Sequence, residues 1–276
     1  MKRLQVSTGE EYVKRIEDVF RVESRERILQ EFIIYPLMES ICTDEDVIPV
    51  DIKVSGKIHN YTLYCGCQGY KKDGELKIVA VPPDLCIAKD WVWLNGEKNK
   101  SDYIATVEIK TVYADNEFWV APGYMQDKIA FENKIEDMLK FINEAMLRKN
   151  SQDEYDYARD EEYTRSLQKQ IGIHLRGIDK VIVTDGVRWI FFYKKGNKCF
   201  ALPPIDLGKR ICQQPRKYYR HVAVEWNFES QDGKENCLKR ELKNFELLKE
   251  MIKEFLGRDV NDMDELCREI QNTYQK

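Results

Sequence analysis

Asp84, Glu108 and Lys110 are the residues whose types and spacing could do chemistry. Asp84 closes the stretch "VPPD" and opens "DLCIA". Pro83 holds Pro82 extended and removes a ladder donor, so the acid arrives rigidly at a strand margin. Glu108 and Lys110 stand two residues apart in the apolar segment "YIATVEIKT", and the period-two alternation of a strand puts them on one face. Asp84 and Glu108 lie on segments joined by a hairpin-like connection, so they can be lateral neighbours. Two carboxylates brought together repel unless a cation lies between them. Magnesium is such a cation, a hard ion that takes carboxylate and carbonyl oxygens and keeps several waters. A lysine beside it can orient or help deprotonate an attacking water and neutralise charge developing on a phosphate. The set is that of a metal-dependent phosphodiesterase. The competing reading is a solvated strand face with a surface ion pair worth about 0–1 kcal/mol.

These residues need a sheet and helices to hold them. Thr8 followed by "GEEYVKRIEDVF" predicts a capped helix, with Glu11 three residues after the cap. A second helix is predicted from Ser24 to Ile41: apolar residues 28, 29, 32, 33, 37 and 41 follow the helical period, and Pro36 bends or divides it. Strand-like pieces follow in "DVIPVDIKVS", "YTLYCGCQGY" and "ELKIVAVPPDLCIA", and Asn95-Gly96 suggests a turn before "YIATVEIKT". The simplest arrangement is a meander ending in that strand. "KIAFENKIEDMLKFINEAMLRK" reads as a long amphipathic helix, and "KVIVTDGVRWIFFY" as a hairpin turning at Asp185-Gly186 with Trp189 and Phe191 in the core. A helical segment is predicted from Lys234 to a cap at Gly257. Its stripe of Leu238, Leu242, Phe245, Ile252 and Phe255 or Leu256 packs on the parent core or meets a partner chain.

Bulk composition sets the limits. The 276 residues, 43% apolar and 33% charged, suit one sizeable core and a well-hydrated surface. No run approaches a membrane span, the N-terminus shows no secretory pattern, and a cytoplasmic protein with no membrane partner is expected. The eight cysteines are scattered among apolar positions and read as reduced. Cys65 and Cys67 form the only close pair, without the second pair or histidine a zinc site would need. A net charge of -4 gives no overall attraction to nucleic acid, but charge is segregated: residues 186–221 carry nine basic side chains against the single acid Asp206. Within them "KRICQQPRKYYRH" suits phosphate contacts and base stacking through Lys209, Arg210, Arg216, Lys217, Tyr218 and Arg220; a solvated connection is the alternative. Residues 151–163 carry six acids and one arginine. Trp91 and Trp93 read as core or as a stacking platform. His59, His174 and His221 have no metal-ligand spacing and receive no catalytic role, although His174 is near enough in chain order to be checked. No GxxxxGK loop is present, which argues against an intrinsic ATPase.

"PPD", 23 residues, then "EIK" resembles the signature of the PD-(D/E)XK nuclease superfamily. "KVIVTDGVRWIFFY" is similar to the late hairpin in the N-terminal nuclease domain of type I restriction enzyme R subunits and their stand-alone relatives, and "RILQEFIIYPLMESI" to that domain's first helix. The resemblance implies an α/β fold, a restriction-endonuclease-like mixed central sheet flanked by helices, spanning residues 1–225, with a helical C-terminal appendage at 226–276. It implies Mg2+ or Mn2+ bound by Asp84, Glu108 and the main-chain oxygen of Ile109, water handled by Lys110, and a helix glutamate in support. Glu26 and Glu31 compete for that last place; Glu26 shares the face of Leu29 and Ile33. Gln126, Gln168 and Gln170 are candidates for the family's glutamine in the helix after the lysine motif. The implied activity is hydrolysis of nucleic-acid phosphodiesters, DNA before RNA, in restriction or phage defence. Implied partners are nucleic acid, a separate ATPase or sensor subunit, and a second copy through the C-terminal helix. The rival from another class is a non-catalytic interaction subunit.

Overall fold

The computed structural model describes residues 6, 8–22, 25–50, 67–72, 75–80, 82–90, 103–110, 128–147, 167–212, 222–229 and 241–274. The first helix, α1 (Gly9–Val22), is capped as its sequence predicts: the Glu11 N–H donates to Thr8 Oγ1 at 3.2 Å. Tyr12, Val13, Ile16 and Phe20 bury its apolar side. Helix α2 covers 26–41 in three runs, Glu26–Leu29, a π turn Gln30–Ile34, and Tyr35–Ile41. Pro36 has no N–H and its ring crowds the carbonyl four residues back; the wider turn just ahead of it relieves both. One consequence departs from the regular stripe. Leu29, Ile33, Leu37 and Ile41 are buried as expected, but the register slip adds Ile34 and Met38 and leaves Phe32 51% exposed.

Among the described residues a seven-stranded mixed sheet forms the centre. Strand β1 (Asp46–Pro49) is followed by an antiparallel ribbon of β2 (Cys67–Lys72) and β3 (Glu75–Ala80), which stands apart from the main sheet. Strand β4 (Leu85–Ala88) pairs antiparallel with β1 and with β5 (Tyr103–Ile109). The meander is therefore β1-β4-β5, with the β2–β3 ribbon an excursion from it. Asn95-Gly96, Trp91 and Trp93 lie outside the described residues.

From β5 the chain passes through α3 (Lys128–Leu147) and α4 (Leu167–Gly177) to β6 (Lys180–Thr184), which runs parallel to β5. Parallel neighbours need such a crossover, and it covers one face of the sheet. The hairpin to β7 (Arg188–Lys195) turns where expected: Gly186 takes φ 84°, while Asp185 Oδ1 accepts the N–H groups of Val187 and Arg188, both at 2.9 Å. Strands β8 (Lys198–Ala201) and β9 (Ile205–Asp206) complete the sheet on β7.

Two cores result. Ala105, Val107 and Ile109 of β5 lie with Ile182, Trp189 and Phe191 beneath α1 and α2. On the other face Val181, Val183, Ile190 and Phe192 meet Met138 and Ile142 of α3 and Ile171 and Leu175 of α4. Gly172 permits that layer: a Cβ there would come within 2.6 Å of Ala145 Cβ and 2.9 Å of Ile142 O.

A second ribbon, β10 (Gly208–Cys212) with β11 (Val222–Trp226), precedes the short pair β12 (Phe228–Glu229) and β13 (Glu241–Leu242). The last long helix segment is shorter than its sequence predicts. Glu241 and Leu242 pair as a strand, Asn244 takes a left-handed φ of 67°, and only then does α5 (Phe245–Gly257) begin. It ends with Arg258 extended and donating its N–H to Glu254 O, without a left-handed glycine. Phe245, Leu248, Ile252 and Phe255 join the first core, and Phe255 meets Phe191 edge-on at 5.3 Å between ring centroids. The part of the stripe from Leu242 to Leu256, considered for a second copy of the chain, is buried within its own. Helix α6 (Met263–Tyr274) adds Met263, Leu266 and Ile270. Among the described residues no helix is long and apolar enough to cross a membrane.

Candidate active site

The antiparallel register that pairs Leu85 with Val107 sets Asp84, one step outside β4, across from Glu108. Asp84 is held at several points. Its Oδ2 accepts the Ile109 N–H at 2.6 Å, and its main-chain oxygen accepts Gln30 Nε2 at 2.9 Å and the Val50 N–H at 3.1 Å. Gln30 sits on the π turn, so the irregularity of α2 brings an amide to the Asp84 corner.

Glu108 shares its face with the core under α3 and α4 and is 3% exposed. The solvated-face reading of this strand is therefore wrong, because crossover helices cover that face as α1 and α2 cover the other. Lys110 Nζ donates to Glu108 Oε1 at 2.6 Å, and the Lys110 N–H donates to Thr184 O at 2.8 Å, tying the end of β5 to the Thr184-Asp185-Gly186 turn. That turn is in turn pinned to α1, where the Tyr12 hydroxyl donates to Gly186 O at 2.7 Å.

Charge in the cluster is arranged unequally. Burial pushes the Asp84 carboxyl well up, and Glu108 adds to the rise; Lys110 and the Ile109 N–H oppose it, and Glu26 pushes the same way as Glu108. Burial also pushes Glu108 up, but Lys110 and His174 outweigh it and hold its carboxyl at about 2. Burial would lower Lys110; Glu108 first, then Glu26 and Asp84, raise it instead, so it is an ammonium. One carboxylate is thus well compensated while the other is held against repulsion.

Glu26 is the α2 glutamate whose charge reaches Asp84 and Lys110. Glu31 is turned away: it pairs with Arg27 at 2.7 Å and its side chain is 48% exposed. Helix periodicity favours Glu26 through the face of Leu29 and Ile33 but does not settle the register, because Glu31 lies in the π turn Gln30–Ile34. Gln168 and Gln170 lie on α4, Gln168 buried and Gln170 half-buried, and Gln126 lies outside the described residues. Of the basic set, Lys209 is half-buried on β10 opposite Glu225, and Arg210 lies on the same strand opposite Val224. Arg216, Lys217, Tyr218 and Arg220 lie outside the described residues, as do His59, His221, Cys65 and the acidic stretch 151–163. Cys42, Cys86, Cys199 and Cys267 are in no disulfide.

Sequence spacing passed over one neighbour. His174 on α4 is fully buried, with Nε2 3.4 Å from Glu108 Oε2. A signal existed in principle: α4 carries this polar ring between Ile173 and Leu175, both buried.

Among the described residues no three His, Cys, Asp or Glu side chains stand together as ligands of one ion. The donors on offer are fewer and harder: the half-buried Asp84 and buried Glu108 carboxyl groups across a strand pair, and main-chain oxygen beside them. Among the described residues nothing donates a hydrogen bond to the buried Glu108 Oε2, and burial together with the neighbouring carboxylate pushes Asp84 up. Both features fit an oxygen-seeking divalent cation, which would relieve the repulsion and use the open lone pairs.

The fold is α/β, with a mixed central sheet and helices on both faces. No protein-family model, no curated protein and no solved structure matches the chain.

Proposed function

We propose that the chain is a divalent-metal-dependent nuclease that hydrolyses phosphodiester bonds at the end of β5. The observation that carries the reading is the carboxyl pair of half-buried Asp84 and buried Glu108, facing across β4 and β5, with the Lys110 ammonium on one of them. The order along the chain supports it too: a glutamate-bearing helix, the Pro-Pro-Asp corner, the Glu-Ile-Lys strand, crossover helices, then the Thr-Asp-Gly hairpin with its aromatic strand. That is the order of the restriction-endonuclease-like pattern to which the sequence bears resemblance.

In this reading Asp84 and Glu108 hold Mg2+ or Mn2+, with the main-chain oxygen of Ile109 as a further donor. The bound ion supplies Lewis-acid polarisation of the phosphoryl oxygen and a water acidic enough to attack near neutral pH. The residues do the rest. Ile109 N–H and Gln30 fix Asp84, so its carboxylate is preorganised. Lys110 is charged, so it orients a water and balances charge developing on the phosphate; a neutral amine acting as general base would need its acidity raised, opposite to the direction found. Glu26 supports Lys110 through its charge.

DNA is preferred over RNA because of the family resemblance, and a role in restriction or phage defence follows from it, with a separate ATPase or sensor subunit as controller. The test is incubation of purified protein with plasmid and oligonucleotide substrates in Mg2+, Mn2+ or chelator, beside Asp84→Ala and Lys110→Ala. Metal-dependent cleavage lost in both variants is expected. Cleavage that both variants retain would overturn the assignment.

A further inference from the structure

Glu108 is buried with two oxygens to satisfy, and nitrogen atoms from two elements address them. Lys110 Nζ, two residues along the same strand, takes Oε1 at 2.6 Å. His174 Nε2, from α4 on the layer above, stands 3.4 Å from Oε2, close enough to orient that oxygen but without a hydrogen bond to it, so the Oε2 lone pairs stay open. Both partners are almost wholly enclosed, His174 at 0% exposure and Glu108 at 3%. An imidazole fully buried on α4, between the buried Ile173 and Leu175 in sequence, costs desolvation that a leucine would not. The route by which it gets there is specific: Gly172, two residues before it, lets α4 approach α3 more closely than any side chain would allow. The Arg176 guanidinium on the following turn donates to Ala145 O, fastening the same pair of helices. The ring is thus set by the scaffold, while the carboxylate it meets has side-chain torsions free to turn unless both oxygens are held.

We infer that His174 is a positioning residue that fixes the Glu108 carboxylate through Oε2, so that the carboxylate is presented to a divalent cation in one orientation. The inference rests on the nuclease reading above, since it assigns Glu108 to the cation. The imidazole stays outside the coordination shell and acts through Glu108. Outer partners of this kind change metal affinity by about 10–100-fold when removed.

The test has two arms on the full chain. Mn2+ binding is read from the free-ion electron paramagnetic resonance signal for wild type, His174→Phe and His174→Gln. Phenylalanine keeps the ring volume and removes both nitrogens; glutamine returns an amide donor near Nε2. In parallel, thermal unfolding in chelator is measured for His174→Phe, Glu108→Gln and the double variant. Support is a Mn2+ affinity lowered about 10–100-fold in His174→Phe, largely restored in His174→Gln, together with non-additive melting shifts in the cycle. Wild-type affinity in His174→Phe, or additive shifts, would overturn the inference and leave the histidine a core residue. Nitrogen hyperfine coupling to Mn2+ that vanishes in His174→Phe would overturn it also, by making the ring a ligand. A wild type that binds no Mn2+ overturns the nuclease reading with it; non-additive melting would then mark His174 and Glu108 as a structural pair alone.

Discussion

Asp84 Oδ2 accepts the main-chain N–H of Ile109 at 2.6 Å, which joins the carboxylate of one strand margin to the backbone between Glu108 and Lys110 on the next. The two acids are therefore held close by the ladder itself, and their repulsion is part of the folded state.

Removing the Asp84 charge while keeping an acceptor oxygen should thus stabilise the chain and abolish cleavage. Because burial and Glu108 raise this carboxyl in the folded state, the stability it contributes is present below its unfolded pKa and is lost as pH rises through the folded value. At pH 7 in chelator, Asp84→Asn is expected to gain on the order of 1–2 kcal/mol. Calorimetry would register that as a melting temperature several degrees higher, and a decrease would contradict the argument.

Lys110→Ala acts in the opposite sense. It leaves Glu108 buried without its strongest counter-charge, a loss of about 3–5 kcal/mol for a broken buried pair. Glu108 is held at about 2, so its contribution is complete above its unfolded pKa of roughly 4.5 and is lost as pH falls towards 2. The acid-unfolding midpoint of Lys110→Ala, followed by circular dichroism, should move to higher pH than that of wild type.

Lys180 anchors α5 to the sheet, its Nζ donating to Leu256 O at 2.9 Å and to Arg258 O at 2.5 Å. Burial brings it down to about 8 despite Asp259 and Asp179 nearby. The unfolded chain therefore binds more protons between pH 8 and about 10.5, and stability from this group rises with pH across that window. Urea unfolding at pH 7 and pH 10 should show wild type gaining about 1–2 kcal/mol relative to Lys180→Met, after allowance for partial solvent screening.

Gly172→Ala tests the close approach of α3 and α4. Its Cβ would meet Ala145 Cβ at 2.6 Å and backbone at 2.9 Å, neither of which can swing aside. A loss of about 1–3 kcal/mol is expected in chemical denaturation, as for overpacked cores. An unchanged midpoint would show that the two helices can separate without cost.

Local features were legible in the chain. Thr8 and Glu11 announced the start of α1, Asp185-Gly186 the hairpin, and strand alternation placed Glu108 and Lys110 on one face, because each depends on torsions and hydrogen bonds within a few residues. Where a signal depended on a regular period it failed locally: Pro36 forced a π turn, so Phe32 turned outward. Glu241 and Leu242, helical by composition, became a strand because Phe228 and Glu229 offered a ladder.

By itself, then, the sequence determined the kinds of elements, their order, and the residue types that could do chemistry together. Only the tertiary structure decided that the face of Glu108 is covered, that Glu26 and not Glu31 lends its charge, and that His174 stands beside the carboxylate. The reason is physical. Burial and electrostatic neighbourhood are set by contacts between segments tens of residues apart, and α4 lies as close as it does to α3 because Gly172 has no side chain to keep the two helices separate.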